Sequence, residues 1–220
     1  ALMINAKNEI LPFFEKMIEE GWSSQNPEFI FNRIRLIGQA AEEKMNLCTN
    51  DINAYKGLIF GMGILATAYA YTLFNNLHIS KIYDIVKELS KNVLDDFEKH
   101  MNTFGYYAFK EHGILGARGE FHKGIPNARK ALEYLVDFSD KSKLETLMFL
   151  ISRVEDTNFL KRAKTYELYF KTKSMFANNL HAGDEDKILE LNDFCLDHNL
   201  TFGGSADLLV LTIFLKKIML

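Results

Sequence analysis

Apolar side chains recur every three or four residues along most of this chain, which is the spacing of one face of an α-helix. Nine periodic segments lie near residues 4–18, 27–41, 54–74, 80–97, 126–136, 144–154, 159–180, 184–198 and 205–220. From them we predict a protein of about eight helices, with boundaries defined to within several residues. Asn26 followed by Pro27 is a helix start signal, with Asn as the cap and Pro at the first helical position. Ser80 is predicted to cap the helix that follows it.

One predicted helix is apolar on all sides. Residues 57–80 contain no Asp, Glu, Lys or Arg, and the run GLIFGMGILATAYAYTLF is long enough to cross a bilayer. The same run is rich in small residues: Gly57, Gly61, Gly63, Ala66, Ala68 and Ala70. Because small residues let helices approach closely, we predict a buried central helix rather than a membrane span. The fold class is therefore predicted to be all-α, a bundle around this helix.

Composition narrows the class of protein further. The 220 residues are predicted to form a single domain over residues 1–220. Three prolines and thirteen glycines are too few for the many turns of a β-sandwich or β-barrel. A net charge of −3 gives no basic footprint for nucleic acid. The two cysteines, Cys48 and Cys195, form no C-x-x-C pair. They fit a reducing compartment, and we expect a cytoplasmic protein.

Common catalytic signatures are missing from the sequence. It contains no G-x-x-x-x-G-K-[ST], no H-E-x-x-H and no G-x-S-x-G. Residues 61–66 match G-x-G-x-x-A, but they lie inside the apolar helix with no strand before them. We therefore reject a dinucleotide site there.

Polar residues form four clusters at predicted element boundaries, and two of these carry cations. In the first, Asn53 is predicted to cap the apolar helix, while Lys56 faces either solvent or a bound anion. The second, G-A-R-G-E at residues 116–120, falls in the longest predicted irregular stretch, residues 101–124. The flanking glycines would let backbone amides face a ligand. The Arg118 guanidinium could then donate two hydrogen bonds to a phosphate. The alternative is a surface loop with a salt bridge.

The other two clusters are acidic or glycine-rich. Glu155-Asp156 beside Asn158 offers oxygen ligands suited to Mg²⁺ bound to a polyphosphate, although these residues equally suit a helix N-terminus. Gly203-Gly204-Ser205 would form an anion nest at the start of the last helix. Asp207, one turn in, would repel phosphate and suits a base or a metal ligand better.

Taken in order, the four clusters resemble the motifs of the triphosphoribosyl-dephospho-CoA synthase family, which makes the prosthetic-group precursor of citrate lyase and malonate decarboxylase. The family motifs are N-T-H-K-G, G-A-R-G-E with G-[FI]-P-x-x-R, D-D-T-N-x-x-x-R and S-P-G-G-S-A-D-L-L. They match residues 53–57, 116–120 with 124–129, 155–162, and 201–209. This chain departs from the family pattern at Tyr55, Glu155, Ala163-Lys164 and Thr201-Phe202, where the family has His, Asp, two glycines and Ser-Pro. We expect the chain to begin after a family-typical upstream segment with a P-K-P-G-L-V-D-like motif.

The resemblance implies a transferase. The 2′-hydroxyl of 3′-dephospho-CoA would attack the anomeric carbon of the ATP ribose, and adenine would leave through an oxocarbenium-like state. The product would pass to a separate transferase that loads the acyl carrier protein. Two alternatives stay open: a non-catalytic or divergent all-α nucleotide-binding protein of the same fold, and another helical, metal-dependent enzyme acting on a nucleoside polyphosphate.

The resemblance also implies roles for the clustered residues. The predicted polyphosphate contacts are Asn53, Lys56, Arg118, Arg129 and Asn158, together with Gly203, Gly204 and Ser205 at the last helix. Glu155 and Asp156 are the predicted Mg²⁺ ligands, and Asp156 is also counted with the catalytic carboxylates. Asp207 or Glu120 is the predicted base, and the sequence does not choose between them.

Overall fold

A computed structural model of the chain describes residues 2–50, 55–99, 103–180 and 185–220, with the side chains of residues 2, 3, 98 and 99 left aside. The described residues form helices and turns and contain no strand, so the prediction of an all-α protein is confirmed. They cluster into two compact units, Ala1–Leu94 with Phe121–Ile125, and Asp95–Glu120 with Pro126–Leu220. The predicted single bundle of about eight helices is therefore inexact, and the domain limits 1–220 stay a prediction.

The first unit contains the N-terminal helices. They are α1 (Leu2–Gly21), α2 (Pro27–Thr49), α3 (Lys56–Phe74) and α4 (Ile82–Leu89), with a 3-10 turn at Ile79–Lys81 before α4. Asn26 caps α2 as predicted, since its side chain accepts the amide of Glu28 at 2.8 Å. The Ser80 prediction is wrong: the His78 ring caps the 3-10 turn by accepting the Ser80 amide.

Helix α3 is the apolar helix predicted from the sequence. It is the one described helix that is long and apolar enough to cross a membrane by length and composition, and 56% of its apolar window is buried. It packs against α1, α2 and α4. The Thr67 hydroxyl donates to the Met17 carbonyl at 3.0 Å, and a side chain at Gly63 would collide with Met17. Small residues thus bring α1 and α3 together, as the sequence analysis expected of this segment.

The second unit holds the remaining helices. They are α5 (Asp96–Lys99), α6 (Phe104–His112), α7 (Gly116–His122), α8 (Pro126–Ala131), α9 (Asp140–Arg153), α10 (Thr157–Ala163), α11 (Tyr166–Ala177), α12 (Glu185–Asp197) and α13 (Gly203–Ile218). A 3-10 turn at Val93–Asp95 precedes α5, and the last residues of α7 fall in the first unit. Buried side chains from α6, α9, α10, α11 and α12 form the core of the second unit.

The glycine-rich stretch predicted to be irregular is largely helical. Thr103 caps α6 through the Tyr106 amide, and Gly113 ends α6 with a φ of +68°. Gly124, with a φ of +78°, follows α7. Glycine is favoured at helix C-termini because the left-handed conformation costs it nothing. The glycines here therefore separate short helices rather than form one long loop.

Candidate functional site

The candidate site is centred on the acidic turn, Val154–Glu155–Asp156, between α9 and α10. Asp156 is the N-cap of α10, and its Oδ1 accepts the amides of Asn158 and Phe159, each at 3.0 Å. Its side chain is only 3% exposed. A buried carboxylate is tolerated here because helix-end amides supply the hydrogen bonds that water would otherwise make.

The second oxygen of Asp156 reaches the start of α13. Oδ2 accepts the Ser205 amide at 3.1 Å, and the neighbouring Gly204 amide acts on the pKa of the same carboxylate. A Cβ on Gly204 would lie 3.0–3.2 Å from the carboxylate atoms of Asp156, so the close approach depends on glycine. Two clusters that are 49 residues apart along the chain therefore share one carboxylate, which joins two helix N-termini.

Asp207 lies one turn inside α13 and is half-buried. Burial first, and then the negative charge of Asp156, raise the pKa of Asp207 to about 7. Burial also raises the pKa of Asp156, while the backbone amides of Phe159, Ser205, Asn158 and Gly204 act in the opposite direction. Two neighbouring carboxylates in a desolvated place hold protons more tightly than exposed ones, which is a frequent property of catalytic acids and bases.

The G-A-R-G-E cluster meets the same turn. The Leu115 amide donates to Oε2 of Glu155 at 2.7 Å, and a Cβ on Gly116 would lie 3.0 Å from Cγ2 of Thr157. Gly116 has a φ of +61°, so both its backbone and its neighbour favour glycine. Within the second unit, three of the four clusters predicted from the sequence thus converge on the acidic turn.

Arg118 and Glu120 differ in their availability to a ligand. The Arg118 guanidinium lies 3.8 Å from Oδ2 of Asp96 and 5.1 Å from the centre of the Phe97 ring, with its side chain 36% exposed. Glu120 is buried and accepts the amides of Asn127 and Ala128 together with Nδ2 of Asn127. It therefore caps the start of α8, whereas Arg118 presents part of its cation to solvent.

The remaining predicted contacts are more dispersed. Asn53 lies outside the described residues, and the N-cap position of α3 is Tyr55, whose side chain makes no cap hydrogen bond. Lys56 belongs to the first unit and its Nζ lies 2.8 Å from Glu42. Arg129 is exposed on α8 in the second unit.

The serine of the glycine-rich cluster is buried. Ser205 is 0% exposed, and among the described residues its hydroxyl has no hydrogen-bond partner. Its amide already donates to Asp156. Gly203 and Asn158 are exposed at the same helix ends. Of this group, they are the residues best exposed to a ligand.

Two residues near the acidic turn were missed by the sequence analysis. Lys173 Nζ donates to the Val154 carbonyl at 2.8 Å, and the Tyr169 hydroxyl donates to the same oxygen at 3.3 Å. Burial lowers the pKa of Lys173 to about 8, against the opposing charges of Glu155 and Asp156. Burial also raises the pKa of Tyr169 above its usual range. Their i, i+4 spacing places both on one helix face, but nothing in that pattern indicates which carbonyl the face meets.

The capacity of the acidic turn for a metal ion is limited. Among the described residues, no group of three or more His, Cys, Asp or Glu side chains is arranged to hold one. Asp156 already accepts three amides, two at Oδ1 and one at Oδ2, which leaves little lone-pair capacity for a metal ion. Glu155 is half-buried and uses one oxygen for the Leu115 amide. The geometry therefore favours Glu155 over Asp156 as a ligand to a cation that arrives already bound to phosphate.

A family model and individual relatives of this chain point to the same protein family. The family model described as CitG: ATP:dephospho-CoA triphosphoribosyl transferase matches residues 1–220. The chain is 27% identical to the 2-(5''-triphosphoribosyl)-3'-dephosphocoenzyme-A synthase of Haemophilus ducreyi, over 94% of this chain and 74% of that protein. A protein of Lactiplantibacillus plantarum named as a probable synthase of the same kind is 30% identical, over 97% of this chain and 82% of that protein. A second probable synthase, from Streptococcus pyogenes serotype M49, is 32% identical, over 98% of this chain and 84% of that protein. No solved structure matches the chain.

Proposed function

Because this chain belongs to the ATP:dephospho-CoA triphosphoribosyl transferase family, we propose that it transfers the triphosphoribosyl group of ATP to the 2′-hydroxyl of 3′-dephospho-CoA. The hydroxyl oxygen forms a bond to C1′ of the ATP ribose, the C1′–N9 bond breaks, and the hydroxyl proton is transferred on to the departing adenine. The observation that carries the proposal is the family match over the whole chain.

The acidic turn and the start of α13 supply the chemistry that this reaction needs. Asp207 is the proposed base, since a proton acceptor with a pKa of about 7 is matched to neutral pH. Glu120 is the weaker candidate because three donors already occupy its oxygens. The transfer passes through an oxocarbenium-like state, which nearby carboxylate charge stabilises.

Cations and helix-end amides would hold the polyphosphate. Arg118 and Arg129 are the proposed cationic contacts of the second unit. The exposed Gly203 and Asn158 lie at helix N-termini, where anions are favoured. Asn53, Lys56, Gly204 and Ser205 stay proposed contacts on the ground of the family motifs alone. Asp156 is proposed as a positioning residue, because its oxygens hold the amides of α10 and α13.

We propose that Mg²⁺ accompanies the ATP substrate and that Glu155 is the protein carboxylate that fits it. Bound to the triphosphate, the ion would neutralise charge on the transferred group. The product is proposed to be the prosthetic-group precursor that a separate transferase loads on an acyl carrier protein, in the cytoplasm. The acyl carrier protein of citrate lyase is the proposed recipient, with that of malonate decarboxylase as the alternative.

The test is to incubate the protein with ATP, Mg²⁺ and 3′-dephospho-CoA and to measure free adenine and the mass of the CoA product. Release of adenine together with a triphosphoribosyl mass gain is expected. Asp207→Asn should lower turnover by about 10²–10⁴-fold, while Glu120→Gln should keep most of it. Tight ATP binding without adenine release would instead favour a non-catalytic nucleotide-binding protein.

A further inference from the structure

Three donors converge on a single backbone carbonyl next to the acidic turn. The Val154 oxygen accepts Lys173 Nζ at 2.8 Å, the Tyr169 hydroxyl at 3.3 Å and the Asp156 amide at 3.0 Å. Val154 is the buried C-cap of α9, and Lys173 and Tyr169 both come from α11. The carbonyl that immediately precedes Glu155-Asp156 is therefore fixed from a separate helix.

Lys173 is not an ordinary surface lysine. It is half-buried, and its ammonium lies 5.1 Å from the centre of the Tyr169 ring. Removing an ammonium from water is costly unless hydrogen bonds and opposite charges compensate. The Val154 carbonyl at the end of α9 and the neighbouring charges of Glu155 and Asp156 supply that compensation.

We propose that Lys173 and Tyr169 are positioning residues for the transferase: they clamp the Val154 carbonyl and thereby fix the acidic turn, with Lys173 as its internal counter-cation. This inference rests on the proposed function. The turn is only three residues long and connects two helices. Its carboxylates must point in fixed directions, since Asp156 holds two helix N-termini and Glu155 holds the Leu115 amide.

The clamp also balances charge. Glu155, Asp156 and Asp207 bring three carboxylates to one region of the second unit, and Asp156 already acts on Asp207 through its charge. A fixed cation on the protein side keeps the acidic turn folded when no substrate is bound. Outer partners that orient the groups of a reactive site typically change activity by about 10–100-fold when removed.

The test uses Lys173→Met, which keeps an apolar stem but removes the charge and the donor, and Lys173→Arg, which keeps the charge. Tyr169→Phe removes only the hydroxyl. Lys171→Met is the matched control, an exposed lysine on the same helix. We expect Lys173→Met to lower kcat for adenine release by about 10–100-fold with little change in KM for 3′-dephospho-CoA. Lys173→Arg should recover part of the loss, and Lys171→Met should match the wild type.

A second measurement separates this inference from the proposed function. Amide hydrogen exchange at Asn158, Phe159 and Ser205, whose amides Asp156 accepts, should be faster in Lys173→Met and unchanged in Lys171→Met. If the wild type releases no adenine, the proposed function fails, and the exchange rates alone decide whether the clamp exists. A folded Lys173→Met protein with wild-type kcat would overturn the positioning role. If Lys173→Met does not fold, Tyr169→Phe and Lys173→Arg are judged by the same two measurements.

Discussion

The Asp156 carboxylate accepts the backbone amide of Ser205 at 3.1 Å, although the two residues are 49 positions apart. The same carboxylate caps α10, so it holds the N-terminus of one helix against that of another. Both helix ends contribute partial positive charge, which stabilises the buried anion between them. The stability of the second unit should therefore depend on this contact.

Asp156→Ala should lower the free energy of unfolding by about 2–4 kcal/mol. Loss of an N-cap costs about 0.5–2 kcal/mol, and each buried amide left without an acceptor costs about 1–3 kcal/mol. Removing a buried charge offsets part of this loss. Urea unfolding of the variant measures the change, with the exposed Asp193→Ala as the control. Equal stability of the two variants would show that Asp156 does not join the helices.

Gly204→Ala and Gly203→Ala should differ sharply. A Cβ at Gly204 meets the Asp156 carboxylate at 3.0–3.2 Å, whereas a Cβ at Gly203 has its nearest neighbour, Asn158 Nδ2, at an ordinary 3.8 Å. We expect Gly204→Ala to destabilise by about 1–3 kcal/mol and Gly203→Ala to be close to neutral. Melting temperatures of the pair test this, and a tolerated alanine at 204 would contradict the close approach.

Asp207→Asn should change how stability depends on pH. The pKa of Asp207 is raised from 3.8 to about 7 in the folded protein, so between these values the folded state holds a proton that the unfolded state releases. Wild-type stability should therefore fall as pH rises through this window, by at most about 1.4 kcal/mol per pH unit from this group. The variant lacks this fall.

Denaturant unfolding at pH 5 and pH 8 checks the sign. At pH 8 the Asp207→Asn protein should be more stable than the wild type while releasing adenine more slowly. If Asp207 were only a favourable charge in the first turn of the helix, the variant would instead be slightly less stable than the wild type. A variant that is less stable than the wild type at pH 8 would show that the carboxylate is stabilising.

Lys164→Gly should stabilise the protein by about 1 kcal/mol. Lys164 ends α10 with a φ of +61°, a left-handed conformation that costs a residue with a side chain about 1–2 kcal/mol. The resembling family motif has glycine at this position. Lys161→Gly, at an exposed position inside α10, is the matched control, and it should lower the free energy of unfolding by about 1 kcal/mol. Chemical unfolding midpoints that shift in the same direction for both variants would refute the argument.

Glu155→Gln should weaken Mg²⁺-dependent ATP binding by about tenfold, equivalent to about 1.4 kcal/mol. Glutamine keeps an oxygen for the Leu115 amide but removes the negative charge that suits Mg²⁺. Calorimetric titration with ATP, with and without Mg²⁺, measures the effect, and Glu190→Gln on α12 is an exposed control. An unchanged affinity would leave Mg²⁺ without a protein ligand at Glu155.

Local sequence patterns determined much of the helical framework. The Asn26-Pro27 start, the apolar α3 and the helices α9, α12 and α13 lie close to their predicted positions. These features follow from spacing, capping and propensity, which act between residues a few positions apart. The order of the polar clusters also indicated the family.

The tertiary structure decided what local patterns do not contain. The helix predicted near residues 159–180 is interrupted at Lys164, and the one predicted near 80–97 ends at Leu89. Short helices occupy most of the glycine-rich stretch that was predicted to be irregular. The proposed preference for Asp207 over Glu120 as the base rests on the three donors that Glu120 already accepts, and the proposed role of Lys173 rests on the carbonyl it meets. Such partners are set by packing between distant segments, because a hydrogen bond across 49 residues leaves no periodic trace in the sequence.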